Sequence, residues 1–286
     1  MKSWTDINVS KKTMTENLKI SFFNQDFQNI QIYICEFIVN KQTDLLLETL
    51  IELYCDYYSS LNQKTLTKFK NGIAIYRDLK KILFFDVVQP VNLNFHKELG
   101  AGCLAFEISA YGEKIITNCG ASEVGGKNPA YLKYSAAHST IILDNTNISE
   151  IKESGSNRYF VKNVNFETKD YDNLILLSGT HNGYLTNYNK ICKRTLTISK
   201  KKELLKGEDT IISTKSIIEK NVYHIRFHLM PELTTTITEN KKNIIIKNKK
   251  NNVWIFKSNK EMIIEKSIFV RNDIANETNQ IVISGV

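Results

Sequence analysis

The sequence predicts a mainly β protein, a large antiparallel β-sandwich preceded by a short helical segment. Three observations carry this. The apolar residues recur at three and four before Pro90 and at two after it. Beyond Pro90, ten or more short β-branched runs follow one another with no helical pattern between them. Glycine, asparagine and aspartate clusters separate those runs, as turns require. With 286 residues, 42% hydrophobic and 24% charged, the chain can bury one large core or two modest ones.

The helical segment is expected over residues 1–90 and the sandwich over 91–286. A first helix is signalled by Thr43-Asp44, followed by Leu45, Leu46, Leu50, Leu53 and Tyr54 at helical spacing. A second is expected from Leu66, Phe69, Ile73, Tyr76, Leu79, Ile82 and Leu83, with Lys64, Lys68, Arg77 and Lys81 on much of the other face. Two such helices would form an antiparallel pair or the remnant of a larger helical array. After Pro90 the residues 104–108 alternate, Tyr111-Gly112-Glu113 turns, and 114–119 returns as a hairpin. Further strands are expected at 139–144, 159–166, 174–178, 193–199, 210–218, 224–230, 234–238, 243–247 and 253–256.

Composition excludes several functional classes. The leucine-rich stretch at 45–54 is interrupted by Glu48 and Glu52, well short of the roughly 20 apolar residues of a membrane span. The first residues carry charges and no apolar core, so no secretory signal is read and the chain as given predicts a cytoplasmic location. Cys35, Cys55, Cys103, Cys119 and Cys192 are odd in number and form no CxxC pair, which predicts buried free thiols. The net charge of +8 suits an acidic polysaccharide or nucleic acid, but the lysines are scattered as on any solvated surface. No stripe of basic and aromatic residues accompanies it, which argues against a nucleic-acid partner.

Four stretches could carry chemistry. Residues 133–145, KYSAAHSTIILDN, set His138 among small residues immediately before an apolar run. Read as a strand, 222–231 sends His224, Arg226, His228 and Met230 to one face, which is either an anion-binding face or a solvated one. Residues 178–184 run into a glycine-flanked turn bearing His181 and Tyr184, and a Zn²⁺ site would follow if His138 and an oxygen ligand lay beside His181. In 191–198 only one of Lys193 and Arg194 can face a given ligand. The glycine-rich stretch 120–126 lacks GxGxxG and a P-loop lysine and reads as a flexible loop.

In order along the chain, Asn118-Cys119-Gly120, Ala137-His138-Ser139-Thr140, His181-Asn182-Gly183-Tyr184, Lys193-Arg194-Thr195-Leu196, Arg226-Phe227-His228-Leu229 and Trp254 resemble the C-terminal domain of heparinase II/III-like polysaccharide lyases. The resemblance implies an (α/α) toroid followed by a sandwich, with this chain carrying the sandwich and the last few toroid helices. It implies β-elimination on a uronate-containing polysaccharide such as a heparan- or alginate-like chain. A base takes the C5 proton and an acid, commonly tyrosine, protonates the leaving O4. His138 is then the catalytic cleft histidine. His138 and His181 are the candidate metal ligands, with Zn²⁺ the implied cofactor, and Tyr184, Arg226 and His228 are the candidate substrate-binding residues. The family's location is periplasmic. Cys192 and Met230 depart from the pattern, standing where many relatives carry histidine. In the family the catalytic tyrosine comes mainly from the toroid, and before the sandwich Tyr54, Tyr57, Tyr58 and Tyr76 are available without a basis for choosing one. A separate chain carrying the rest of the toroid is one implied partner. The other reading is a non-catalytic carbohydrate-binding or structural sandwich left by loss of the toroid.

Overall fold

The computed structural model describes residues 66–70, 72–88, 100–121, 129–151, 158–159, 161–216 and 220–286. The chain divides into two compact units, Met1–Thr65 and Leu66–Val286, and every described residue belongs to the second. The helix expected at 43–54 lies outside the described residues.

Among the described residues eighteen strands follow in order: β1 (Leu66–Lys70), β2 (Ile73–Arg77), β3 (Lys81–Asp86), β4 (Phe106–Ala110), β5 (Glu113–Thr117), β6 (Ile141–Leu143), β7 (Ser149–Glu150), β8 (Arg158–Tyr159), β9 (Val164–Asp170), β10 (Leu174–His181), β11 (Lys190–Ser199), β12 (Leu205–Ser213), β13 (Tyr223–Leu229), β14 (Thr234–Ile237), β15 (Asn243–Lys247), β16 (Val253–Lys257), β17 (Met262–Arg271) and β18 (Ile274–Gly285). Two short helices, α1 (Ala130–Lys133) and α2 (Leu185–Tyr188), and a 3₁₀ turn at Ser135–Ala137 interrupt them.

The second expected helix is corrected: 66–86 is a three-stranded antiparallel meander, β1 to β3. Its apolar spacing fits a helix only when read across the turns. Within β2 the buried residues are Ala74 and Tyr76, and within β3 they are Lys81, Leu83 and Phe85, each alternating with more exposed neighbours. Gly72, at φ +79°, turns the first hairpin, and the Asp78 carboxylate accepts from the amides of Lys80 and Lys81 to turn the second. The second compact unit begins at Leu66.

A large antiparallel sheet has the order β1-β2-β3-β4-β5-β13-β18-β17, with β6 also on β13. A four-stranded sheet, β12-β11-β10-β9, and a three-stranded sheet, β14-β15-β16, complete the main layers, while β7 and β8 pair separately. Ile175, Leu177, Gly179 and His181 form the inward row of β10, and Lys190, Cys192, Arg194, Leu196 and Ile198 that of β11. They face the large sheet, as does Phe166 of the neighbouring β9, whose ring centroid lies 6.4 Å from that of Phe85. The three-stranded sheet adds Ile244 and Ile246 and sets Phe256 against Phe227 at 4.9 Å. This is the expected antiparallel sandwich, its core lying between the sheets.

One polar cluster is built into that core. Arg194 is 2% exposed, pairs with Asp209 through Nε to Oδ1 at 2.7 Å and Nη2 to Oδ2 at 2.9 Å, and lies against the rings of Phe106 and Phe227. Its Nη1 donates to the carbonyls of Leu104 at 2.8 Å and Ser139 at 2.6 Å. The guanidinium is thus satisfied where an unpaired charge would be costly.

The large sheet also carries a crossing point. One edge of β13 pairs with β18, while the other is shared by β5, at His228 and Leu229, and β6, at Tyr223 to Ile225. Between β5 and β6 the chain runs through the 3₁₀ turn and passes Ser139 across the sheet. The Ser139 hydroxyl accepts from the His228 amide at 3.0 Å and donates to the Thr117 carbonyl at 2.6 Å, and Thr140 O accepts from the Arg226 amide.

Gly179 tests the sheet-to-sheet packing. A Cβ there would lie 2.5 Å from Leu104 Cδ2 and 3.0 Å from Val87 Cγ1. Gly179→Val is expected to lower stability by about 1–3 kcal/mol, as overpacked cores do. A denaturant midpoint unchanged from the parent would refute the close approach.

Candidate functional site

The site grows from the crossing point. Beyond the turn at Ser135–Ala137, His138 returns to extended backbone and its Nδ1 lies 2.8 Å from the Tyr134 carbonyl. A carbonyl can only accept, so Nδ1 carries the proton and Nε2 is the acceptor nitrogen. The imidazole lies against Gly100 and Gly102. A Cβ on Gly100 would stand 2.8 Å from Nε2, and one on Gly102 would stand 2.3 Å from Cδ2. Neither glycine is needed for a left-handed backbone; both are needed for space. Burial lowers the His138 pKa from the ordinary value, opposed by the Tyr134 bond and the charge of Glu107. At neutral pH the ring is an uncharged base in one tautomer.

Around it lies the outer face of the large sheet, the face opposite the sandwich core. Glu107 alternates with buried Phe106 and Ile108, and His228 and Arg226 are on the opposite side of β13 from Phe227. Glu107 Oε1 accepts from the Thr117 hydroxyl and from the backbone and side-chain amides of Asn118, while Oε2 pairs with Lys114 at 2.7 Å. Asn118 Oδ1 in turn accepts from the Ser139 amide at 2.9 Å. Arg226 pairs with Glu265 at 2.9 Å, and Gln280 Nε2 reaches the same Glu265 oxygen at 3.4 Å. Arg226 Nε and Gln280 Oε1 have no partner among the described residues.

The other expected site residues are placed differently. His228 is 2% exposed and both ring nitrogens are engaged: Nε2 donates to Ala136 O at 2.9 Å, and Nδ1 accepts from the Ser267 hydroxyl at 2.8 Å with Cys119 Sγ at 3.5 Å. Tyr184 is fully buried, and its hydroxyl donates to Thr146 O at 2.9 Å. Both side chains are therefore buried and hydrogen-bonded among the described residues. Tyr76, available as a tyrosine by sequence, is also wholly buried and bonded to Asp78. Cys103, Cys119 and Cys192 are buried free thiols.

His181 lies between the sheets, facing Arg194 and Tyr184, with Cys192 as its cross-strand neighbour, whereas His138 lies on the outer face. Its Nδ1 accepts the Gly183 amide at 3.1 Å, so Nε2 bears the proton and has no partner among the described residues. A metal on Nε2 would force the proton onto Nδ1, against that amide. Among the described residues no group of three or more His, Cys, Asp or Glu side chains could hold a metal ion. The pair therefore does not fit zinc.

Sequence reading missed Gly100, Gly102 and Glu107, and it quoted Asn118 in a motif without giving it a place in the site. Glycines at alternate positions, 100 and 102, were the available signal; nothing local marks the carboxylate, which meets Asn118 only through the β4–β5 hairpin.

Burial depresses both His181 and His228 to about 4, with the Arg194 charge adding to it at His181 and His138 and Arg226 adding at His228. Both folded values lie below the unfolded value near 6.5, so in the window from 6.5 to 4 the unfolded chain binds more protons and stability falls as pH falls. Asp86, raised by burial to about 6, acts in the opposite direction below that value and offsets part of the effect. The net expectation is a loss on the order of a few kcal/mol between pH 6.5 and 4, with a shallower slope in His228→Gln. Thermal melts across that range check it; a flat profile would refute the neutral buried imidazoles. Metal analysis is expected to give the same metal content for His138→Ala, His181→Ala and the parent chain.

The sequence matches the Heparinase II/III-like, C-terminal family over residues 68–286. A comparison with curated proteins gives no match. Among solved structures, the heparan sulfate lyase HepC from Pedobacter heparinus is similar at 16% identity and TM-score 0.61, covering 77% of this chain and 34% of that one. A heparinase III structure is similar at 14% identity and TM-score 0.60, covering 78% and 34%. The heparinase III BT4657 gene product is similar at 11% identity and TM-score 0.61, covering 97% and 39%. The chain thus spans between a third and two fifths of the length of these structures, whose likeness at such identities is one of fold. With the family match covering most of the chain and the sandwich formed over the same residues, the chain belongs to the heparinase II/III-like family through its C-terminal domain.

Proposed function

We propose that this chain supplies the sandwich-side wall of a polysaccharide lyase site acting by β-elimination on a uronate-containing acidic polysaccharide. The observation that carries this is His138, a neutral imidazole held as the Nδ1–H tautomer with Nε2 as the acceptor. In the proposed reaction Nε2 takes the uronate C5 proton, the C4–O bond breaks, a C4–C5 double bond forms, and an acid from the opposite wall protonates O4. Arg226, on the same outer face, offers its guanidinium toward the carboxylate, and the net charge of +8 favours approach of a polyanion. A helical toroid, in this polypeptide or in a separate chain, supplies the acid.

The polar outer face around Arg226, whose Nε has no hydrogen-bond partner among the described residues, also suits a second reading, a non-catalytic carbohydrate-binding or structural sandwich. Incubation with heparan sulfate, alginate and related polyuronates separates the two. The lyase reading expects unsaturated products absorbing in the ultraviolet, and a loss of about 10²- to 10⁴-fold in His138→Ala. Absorbance unchanged with every polyuronate, together with retention on an immobilised polyanion, would leave the binding reading.

A further inference from the structure

We propose that Arg194 is a positioning residue for His138, acting through the sandwich core from the opposite sheet. One nitrogen, Nη1, bridges two carbonyls belonging to two different segments. Leu104 O belongs to the segment carrying Gly100 and Gly102, against which the imidazole rests. Ser139 O belongs to the residue following His138. The guanidinium therefore clamps the cradle to the segment bearing the ring. Three other bonds join the same two segments: Ala101 N to Lys133 O at 2.7 Å, Ser135 Oγ to Ala101 O at 2.8 Å and Thr140 Oγ1 to Cys103 O at 2.8 Å. Arg194 is the only one of the four anchors that comes from the other sheet.

Two features show that this clamp is needed. Leu104 sits at φ +63°, a region that side-chain-bearing residues rarely occupy, so its carbonyl direction depends on its partners. And Gly100 and Gly102 leave the imidazole no lateral wall of their own except backbone, so a small retreat of that segment would free the ring. Arg194 is itself held by the two-point bond to Asp209 and by the rings of Phe106 and Phe227. Its planar fork allows Nε and Nη2 to engage Asp209 while Nη1 engages the carbonyls; a lysine ammonium has no such division.

The inference rests on the reading of His138 as the base, and its test reads the ring itself and not turnover. In ¹⁵N-histidine-labelled full chain, the His138 nitrogens are expected to show the separated resonances of a fixed Nδ1–H tautomer. Gly102→Ala, which intrudes on the ring directly, is expected to lose that separation. Arg194→Lys is expected to lose it as well, with both signals moving toward the average of exchanging tautomers, while His228 keeps its Nε2–H pattern. A folded Arg194→Lys chain that keeps the parent His138 pattern overturns the proposal. Should that variant not fold, Asp209→Asn, which retains the guanidinium and loosens its anchor, decides by the same readout and the same criterion. Tautomer loss in Arg194→Lys together with a parent chain that lacks lyase activity supports the clamp and counts against the proposed function; a lyase-active parent whose Arg194→Lys variant keeps the tautomer does the reverse.

Discussion

The structure depends on one buried cation. Arg194 occupies the space between the two main sheets, where an unpaired guanidinium would cost far more than the fold could offset, and its neighbours are arranged to prevent that. Asp209 neutralises it in two-point geometry, two backbone carbonyls take the remaining directed bonds, and two aromatic rings flank it. Removing one partner of such a buried pair costs about 3–5 kcal/mol, whereas an apolar replacement of the whole cluster is often neutral. The pair is therefore better understood as a specifier of geometry than as a source of stability. It fixes where the segments at 100–104 and 138–140 meet.

Those segments meet at a break in the large sheet. An uninterrupted ladder along β13 would leave no passage for the chain, and a gap without substitutes would leave backbone groups unpaired in the interior. Ser139 resolves both, its hydroxyl standing in for a strand partner to His228 and Thr117. The consequence is that Ser139 of the crossing faces inward, with its carbonyl on Arg194, while the preceding side chain, His138, lies on the other face. A single peptide thus couples the core to the candidate site. The local environment then favours the neutral imidazole, because burial disfavours its charged form and outweighs the opposing bond to Tyr134.

Much of this was legible in the sequence, and the limits have physical causes. Most strands from β4 to β16 could be read from alternating residues bounded by turn chemistry, but the two-residue β7 was not, and β9 and β12 are offset from the expected 159–166 and 210–218. The meander β1 to β3 could not: strands of five or six residues give too few repeats, and their apolar residues joined across turns mimic a helical stripe. The turn signals at Gly72 and Asp78 were present and were outweighed by that spacing. Strands β17 and β18 escaped notice because their burial depends on partners, with polar Thr278 and Gln280 buried where β18 crosses the sheet. Histidine type was legible, but role was not. His138, His181 and His228 look equivalent as letters, yet one faces outward, one lies between the sheets and one is bonded at both nitrogens.

By itself the sequence determined the class of fold, the order of most strands and the family, since these follow from periodicity, turn residues and motif order along the chain. It also determined that His138 would sit among small residues. Only the tertiary structure decided which polar side chains could meet a ligand. That depends on which face of which sheet a residue occupies and on partners far away in the chain, as when Arg194 secures the Ser139 carbonyl or Glu107 collects the amides of Asn118. Burial and hydrogen-bond satisfaction are properties of the packed chain, and no local pattern of residues specifies them.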